Sequence, residues 1–331
     1  MSAVTTVDAH VAGGAVRLIT AGLPHVEGSS LADRQASLTE QARPVLAALA
    51  REPRGHNGVV VVVLGEPDLP DADAAMLFYR SSGPASLCGH ALIGATALAI
   101  ARGVLTPRQH GVVRYDTMGG AVTARVSGAL GTGPVRVRYM GPPAMVLRGN
   151  VPITLGRRSV RADLAWSGTE LVAIVDAESA GVPLVSSREL ELRRAGADVI
   201  RYLEEATHET DPVSGAPASV SSAVFIGPAP ESGVDIRSGC VWSDGSVERS
   251  PGGSATTALA AVLSAMGLLG TGRRLVHQGL LGTNLWATVV SMSDVESRPS
   301  VEVEVDGEAW PTGDHVFRFD ETDPLLDGEW S

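Results

Sequence analysis

Cys88, Gly89 and His90 stand directly before a run of small and apolar residues, and Gly252, Gly253 and Ser254 stand in the same relation to a second such run. A thiol at a helix start meets unpaired backbone N–H groups and the positive end of the helix dipole, which together favour its thiolate. His90 adds an imidazole at the same start, and Gly89 permits close backbone approach. On position alone a solitary cysteine is more often an inert buried residue, so the neighbours carry the reading. At the second start, the glycine pair offers N–H groups with little side-chain obstruction, which suits a small carboxylate. A tight strand-to-helix turn would use the same glycines. The segment is not GxGxxG, and Thr256 in its fifth position does not complete GxSxG, so nucleotide binding and serine hydrolysis both fit poorly.

Both triplets need helices behind them. Residues 91–101 are apolar or small nearly all round and meet a stop at Gly103; residues 255–266 repeat the pattern and stop at Gly267. With Cys88 laid on Gly252, Gly89 meets Gly253, Ala91 meets Ala255, Ala97 meets Ala261, Ala101 meets Ala265, Gly103 meets Gly267 and Leu105 meets Leu269. A true repeat predicts two halves, each wrapping strands around one central apolar helix and aiming its N-terminus at a shared cleft. Two unrelated core helices are the alternative. Strand patterns at 16–20 and 59–64 flank a helical stretch at 31–51, and the Val richness of 59–64 suits a strand buried on both faces. A Gly-Pro-Pro break at 141–143 marks a domain junction. Beyond it lie strand-like material at 151–175, a charged helix at 188–205 and a last strand near 316–319. Cys240 falls in a strand pattern without a base beside it and reads as core.

The chain has 331 residues, 44% of them hydrophobic and 4% aromatic, which suits a globular protein of about two domains. Its 26 basic and 37 acidic residues give a formal charge of -11, which repels phosphate backbones and anionic lipid; nucleic acid is not an expected partner. Every basic residue is arginine. Without lysine there is no Schiff base to pyridoxal phosphate or to a carbonyl substrate, and no Walker lysine. The opening residues lack the pattern of a secretory signal, and no apolar stretch reaches the ~20 residues that span a bilayer, so a cytoplasmic protein with unbridged thiols at Cys88 and Cys240 is expected. The eight histidines are scattered without HExxH or CxxC, so no metal is expected.

Leu87-Cys88-Gly89-His90 resembles the Met-Cys-Gly-His motif of the proline racemase family, and Glu248-Arg249-Ser250-Pro251-Gly252-Gly253-Ser254 resembles its Asp-Arg-Ser-Pro-Cys-Gly-Thr/Ser motif. Asp8, Ala9 and His10 with Gly13 and Arg17 are similar to the family's opening segment, and Gly282-Thr283-Asn284-Leu285 to its late Gly-Ser-x-Phe strand. The resemblance implies an α/β (α+β) fold of the diaminopimelate epimerase type, with two pseudo-symmetric domains, each of strands around a central helix. The last segment then returns to the first domain: 1–139 with 309–331, and 140–308. It also implies a cofactor-independent enzyme acting on a small imino acid, as a racemase, a hydroxyproline epimerase or a trans-3-hydroxy-L-proline dehydratase. Cys88 is then the base at Cα, and Gly89, His90, His208, Glu248, Gly253 and Ser254 bind substrate. A homodimer is compatible with this reading.

The departures from the family pattern direct the choice of reaction. Racemases and epimerases carry a second cysteine where this chain has Gly252, and the dehydratases commonly carry threonine. Two-base inversion needs an acid on the far face of the planar carbanion, which glycine cannot supply, whereas dehydration needs one base at Cα and a departing β-hydroxyl. Glu248 replaces the family's aspartate with one more methylene, His10-Val11-Ala12-Gly13 alters its His-Thr-Gly-Gly segment, and Ser167-Gly168-Thr169-Glu170 stands for its Gly-Gly-Asn-Phe segment. His208 is followed by Glu209 where the family has proline. The reading is therefore dehydration of trans-3-hydroxy-L-proline or a related acid; the alternatives are racemisation or epimerisation with a replaced second base, and a non-catalytic imino-acid binder.

Overall fold

The computed structural model describes residues 2–128 and 134–326; Met1 and residues 327–331, assigned by sequence to the first domain, lie outside them. The chain divides into two compact units, Met1–Tyr139 with Gly307–Ser331, and Met140–Asp306. The return crossing thus comes at Gly307, against the 309 read from sequence.

Unit 1 opens with β1 (Ser2–Val11) and β2 (Gly14–Ala21), an antiparallel pair turned at Ala12 and Gly13, both at positive φ. Their register sets Asp8 opposite Arg17. Arg17 is buried, donating from Nε and Nη2 to Asp8 at 3.0 and 2.7 Å and from Nη1 to the carbonyls of Leu49 and Arg54, while its guanidinium stacks 4.4 Å from the Phe317 ring. A charge so deep is tolerated because it is paired and its donors are used. The opening segment is therefore first a structural tie.

The helical stretch at 31–51 forms two helices, α1 (Leu31–Gln41), capped by Ser30, and α2 (Arg43–Ala50), with Pro44 in its first turn where a missing N–H costs nothing. β3 (Val59–Gly65) runs parallel to β2; Val59 and Val61 pack with Leu38, Leu46 and Leu49, and Val60 and Val62 are buried on the opposite face. β4 (Ala74–Arg80) follows, with short β5 (Gly83–Ala85) on its end, then α3 (Gly89–Ala101), β6 (Val112–Thr117), β7 (Gly120–Ser127) and β8 (Val135–Met140). Neighbouring strands run β1, β2, β3, β4, β6, β7, β8 and the later portion of β18 (Arg298–Phe319), which pairs back onto β1 from Ser2↔Phe319 to Val11↔Ala309. The sheet closes on itself as a barrel.

Unit 2 contains β9 (Ala144–Leu155), β10 (Arg158–Trp166), β11 (Leu171–Asp176), α4 (Ala177–Ala180), α5 (Glu189–Ala206), the small pair β12 (Glu209–Thr210) and β13 (Pro217–Ala218), β14 (Val220–Gly227), β15 (Ile236–Trp242), α6 (Gly253–Ala265), β16 (Arg274–Gln278) and β17 (Asn284–Val295). Its order is β9, β10, β11, β14, β15, β16, β17 and the initial portion of β18, which returns to β9 through Val301↔Ala144. The pairing senses repeat those of unit 1. A parallel crossover through helices (β2 to β3; β11 to β14) precedes an antiparallel pair, and a second parallel crossover (β4 to β6; β15 to β16) precedes another. Parallel neighbours need such crossovers, and α3 and α6 fill the same one in each unit.

A helix that is apolar all round must be buried all round. Every residue of α3 from Gly89 to Ile100 is buried, packed on β1, β2, β3 and β7; α6 is buried from Gly253 to Val262, packed on β9, β10, β11 and β17. The strand expected near 316–319 is only the end of the 22-residue β18. Pro299, Gly307, Pro311 and Gly313 are residue types that usually end strands, and β18 absorbs them, the last two at the register shift opposite Asp8 and Ala9. Among the described residues no helix is long and apolar enough to cross a membrane.

Candidate active site

Cys88 is the N-cap of α3, in extended conformation at φ -136°, and its carbonyl accepts the N–H of Leu92 at 2.8 Å. Its side chain makes no capping bond. The Sγ lies 3.6 Å from Nδ1 and 3.9 Å from Nε2 of His90, and both residues are buried. An imidazole at that range can take the thiol proton or stabilise the thiolate. The His90 ring lies against the start of β2, where a Cβ built on Gly14 would come within 2.8 Å of it. Gly94 gives α3 the same close approach to β2 further along, since a Cβ built on it would lie 2.9 Å from the Val16 side chain.

In unit 2 the chain leaves β15 at Trp242, and Glu248 N–H returns to the carbonyl of Cys240 at 3.0 Å, which buries Cys240 in the sheet as sequence suggested. Glu248 turns its carboxylate onto its own loop: Oε1 accepts from Arg249 N–H (3.1 Å), Ser250 N–H (3.2 Å) and Ser250 Oγ (3.0 Å), and Oε2 accepts from Trp242 Nε1 (3.3 Å). Ser250 Oγ in turn accepts the N–H of Gly252 at 3.1 Å. The extra methylene of glutamate therefore organises the loop ahead of α6. Gly252 caps that helix at φ 82°, ψ 128°, a conformation that L side chains rarely adopt and unlike that of Cys88. No side chain caps α6, whereas Ser30 caps α1 and Asp176 caps α4. α2 and α5 also lack a side-chain cap, but among the described helices only α3 and α6 combine that with a buried first turn, which suits an anionic ligand at each.

Behind Gly252, Thr256 Oγ1 donates to its carbonyl at 2.6 Å and lies 2.8 Å from Nδ1 of His277, whose Nε2 lies 2.7 Å from Ser238 Oγ. Burial pushes the His277 pKa down from 6.5 to about 3. Between those values the unfolded chain binds a proton that the folded chain refuses. The stability that depends on neutral His277 is therefore complete above about pH 6.5 and falls, by up to about 1.4 kcal/mol per pH unit, as the pH drops toward 3. Denaturation at pH 7, 5.5 and 4.5 should show this slope, and His277→Gln should flatten it.

His208 is exposed on the segment after α5, in contrast to the buried Gly89, His90, Gly253 and Ser254 at the helix starts. Ser167 and Glu170 bond each other in the turn between β10 and β11, where Gly168 passes 2.5 Å (from its absent Cβ) from the Pro142 carbonyl. Sequence reading missed Gly14, Trp242, Ser238 and His277; the strand register that brings them to the helix starts has no local signal. Among the described residues no three His, Cys, Asp or Glu side chains gather as a metal would require.

A model of the proline racemase family matches residues 6–329. The chain belongs to the proline racemase family. A trans-3-hydroxy-L-proline dehydratase of Bacillus cereus is 29% identical over 98% of this chain and 97% of its own. A proline racemase of Clostridioides difficile is also 29% identical, over 98% and 97%. A crystal structure of a hydroxyproline epimerase from Agrobacterium vitis, with bound trans-4-hydroxy-L-proline, superposes with TM-score 0.88 at 24% identity, covering 99% of this chain and 96% of that one. The fold is thus the mixed α/β, diaminopimelate epimerase-like one with closed strand barrels, and the named members of the proline racemase family are isomerases and lyases. Relatives of equal identity carry different activities, so the choice among them falls to the residues at the helix starts.

Proposed function

We propose that this member of the family dehydrates trans-3-hydroxy-L-proline or a closely related acid without a cofactor, using Cys88 as its single base. The observation that carries this choice is Gly252, which brings no side chain to the second helix start and sits at φ 82°. In the trans isomer the 3-hydroxyl projects on the face opposite the carboxylate, which is the face that bears the Cα proton. One group on that face can therefore serve both ends of the elimination. The Cys88 thiolate takes the Cα proton, the electron pair makes the Cα–Cβ bond double, and the Cβ–O bond breaks as the hydroxyl accepts that proton from the thiol and leaves as water. The enamine then moves its N–H proton to Cβ, giving 1-pyrroline-2-carboxylate.

The buried helix in each unit supports the remaining roles. The uncapped N–H groups of Gly253 and Ser254 hold the carboxylate and make the Cα proton more acidic. Gly89 and His90 flank the thiol, and the negative charge of Glu248 offsets the ring ammonium. Proton NMR in deuterated buffer tests the reading: trans-3-hydroxy-L-proline should yield the pyrroline, while L-proline should not become D-proline. Racemisation of proline at a comparable rate would overturn it. Gly252→Cys should lower Tm, because a side chain held in that sparsely populated conformation costs about 1–3 kcal/mol, and it should not invert proline; inversion by the folded variant would favour a two-base site.

A further inference from the structure

The polar chain behind α6 has a fixed direction. Thr256 Oγ1 lies 2.6 Å from the Gly252 carbonyl, a distance at which two oxygens must share a proton, and the carbonyl has none to give. The hydroxyl hydrogen is thereby committed to Gly252. At 2.8 Å from the same hydroxyl, Nδ1 of His277 must then be the donor. With Nδ1 protonated and the ring neutral in its fully buried place, Nε2 is the acceptor and Ser238 Oγ donates to it at 2.7 Å. The order is Ser238 to His277 to Thr256 to Gly252, each hydrogen bond pointing the same way.

The chain ends where positional control is needed. Gly252 has a left-handed φ, its N–H is held by Ser250 Oγ, and its carbonyl takes both Thr256 N–H at 2.9 Å and Thr256 Oγ1. We infer that His277, as its neutral Nδ1–H tautomer, is a positioning residue that locks Thr256 onto the Gly252 carbonyl and so sets the direction of the uncapped N–H groups of Gly253 and Ser254. This role substitutes for the side chain that the second helix start lacks: the backbone is pinned from behind, from β15 and β16, instead of from the substrate side. The inference about substrate rests on the proposed function; the tautomer and the lock do not.

Nitrogen-15 NMR of histidine-labelled protein reads the tautomer directly. One of the eight histidines should show the Nδ1–H pattern without change from pH 5 to 9; an Nε2–H pattern at His277, assigned by its loss in His277→Gln, or titration near pH 6.5, would overturn the inference. The second arm compares Thr256→Val with Thr256→Ser. The valine variant should raise KM for trans-3-hydroxy-L-proline about tenfold with kcat much less changed, as expected when a contact common to substrate and transition state is weakened. The serine variant should stay within about twofold of the wild type, since it keeps the hydroxyl. Equal KM values in all three proteins, or equal losses in both variants, would remove the positioning role. Should the valine variant not fold, the nitrogen-15 pattern of the wild type still decides, and absence of turnover with the Nδ1–H pattern intact would refute the proposed reaction while supporting the lock.

Discussion

Cys88→Ala should lose turnover of trans-3-hydroxy-L-proline by about 10²–10⁴-fold or more, the range that separates a positioned proton-transfer group from none. The fold should survive the change. Cys88 caps α3 through its backbone, its side chain makes no capping bond, and its carbonyl bond to Leu92 does not depend on sulfur. Loss of one buried sulfur costs stability on the order of 1 kcal/mol, so circular dichroism and Tm should stay close to the wild type while product formation disappears. Cys88→Ser is the sharper comparison, because it keeps the shape and supplies a hydroxyl that is not appreciably ionised near neutrality. If the thiolate is the base, the serine protein should be nearly as inactive as the alanine one. Substantial turnover by either, measured by NMR on folded protein, would sink the assignment of Cys88.

The helix starts were legible because their signals are local. A small-residue run marks each buried helix, a glycine stops it, and the residues just ahead of it are adjacent in sequence, so Cys88, Gly89, His90, Gly252, Gly253 and Ser254 could all be read and α3 and α6 placed in the same register. What supports those starts was not legible. The contact of Gly14 with His90 depends on how β2 lies along α3, and that of His277 with Thr256 on the parallel register of β15 and β16, where Ile236 pairs with His277. β18 was reduced to its last residues because prolines and glycines that terminate most strands are accommodated here by partners far away in sequence. Glu248 was read as binding substrate, and nothing in the sequence signalled that its carboxylate would also accept from Arg249, Ser250 and Trp242. Its extra methylene carries it back to its own loop, and its Cγ lies 3.6 Å from where a Cβ of Gly252 would be. The two departures from the family pattern are therefore neighbours in space. A longer acid and an absent side chain occupy one corner of the fold.

Gly14→Ala should cost activity on the order of 10²-fold, an effect known to follow from displacing reacting groups by about 1 Å. Gly14 is buried, sits in β2 without a positive φ, and so could take a side chain as far as its backbone is concerned. The obstacle is His90. A Cβ there would lie 2.8 Å from its Cδ2 and 3.0 Å from its Cγ and Nε2, closer than real contacts allow, and the imidazole has little room to retreat because it is itself buried with the Cys88 thiol 3.6 Å from its Nδ1. The ring must turn or shift, and the thiol then loses the neighbour that stabilises its anion. Overpacking of this kind also lowers stability by about 1–3 kcal/mol, so a fall in Tm alone would not separate steric damage from a role at the thiol. A double-mutant cycle does. In a His90→Ala background the alanine at position 14 meets no ring, and the second substitution should be nearly silent in kcat/KM; losses that simply multiply would mean that Gly14 acts through the strand and not through His90.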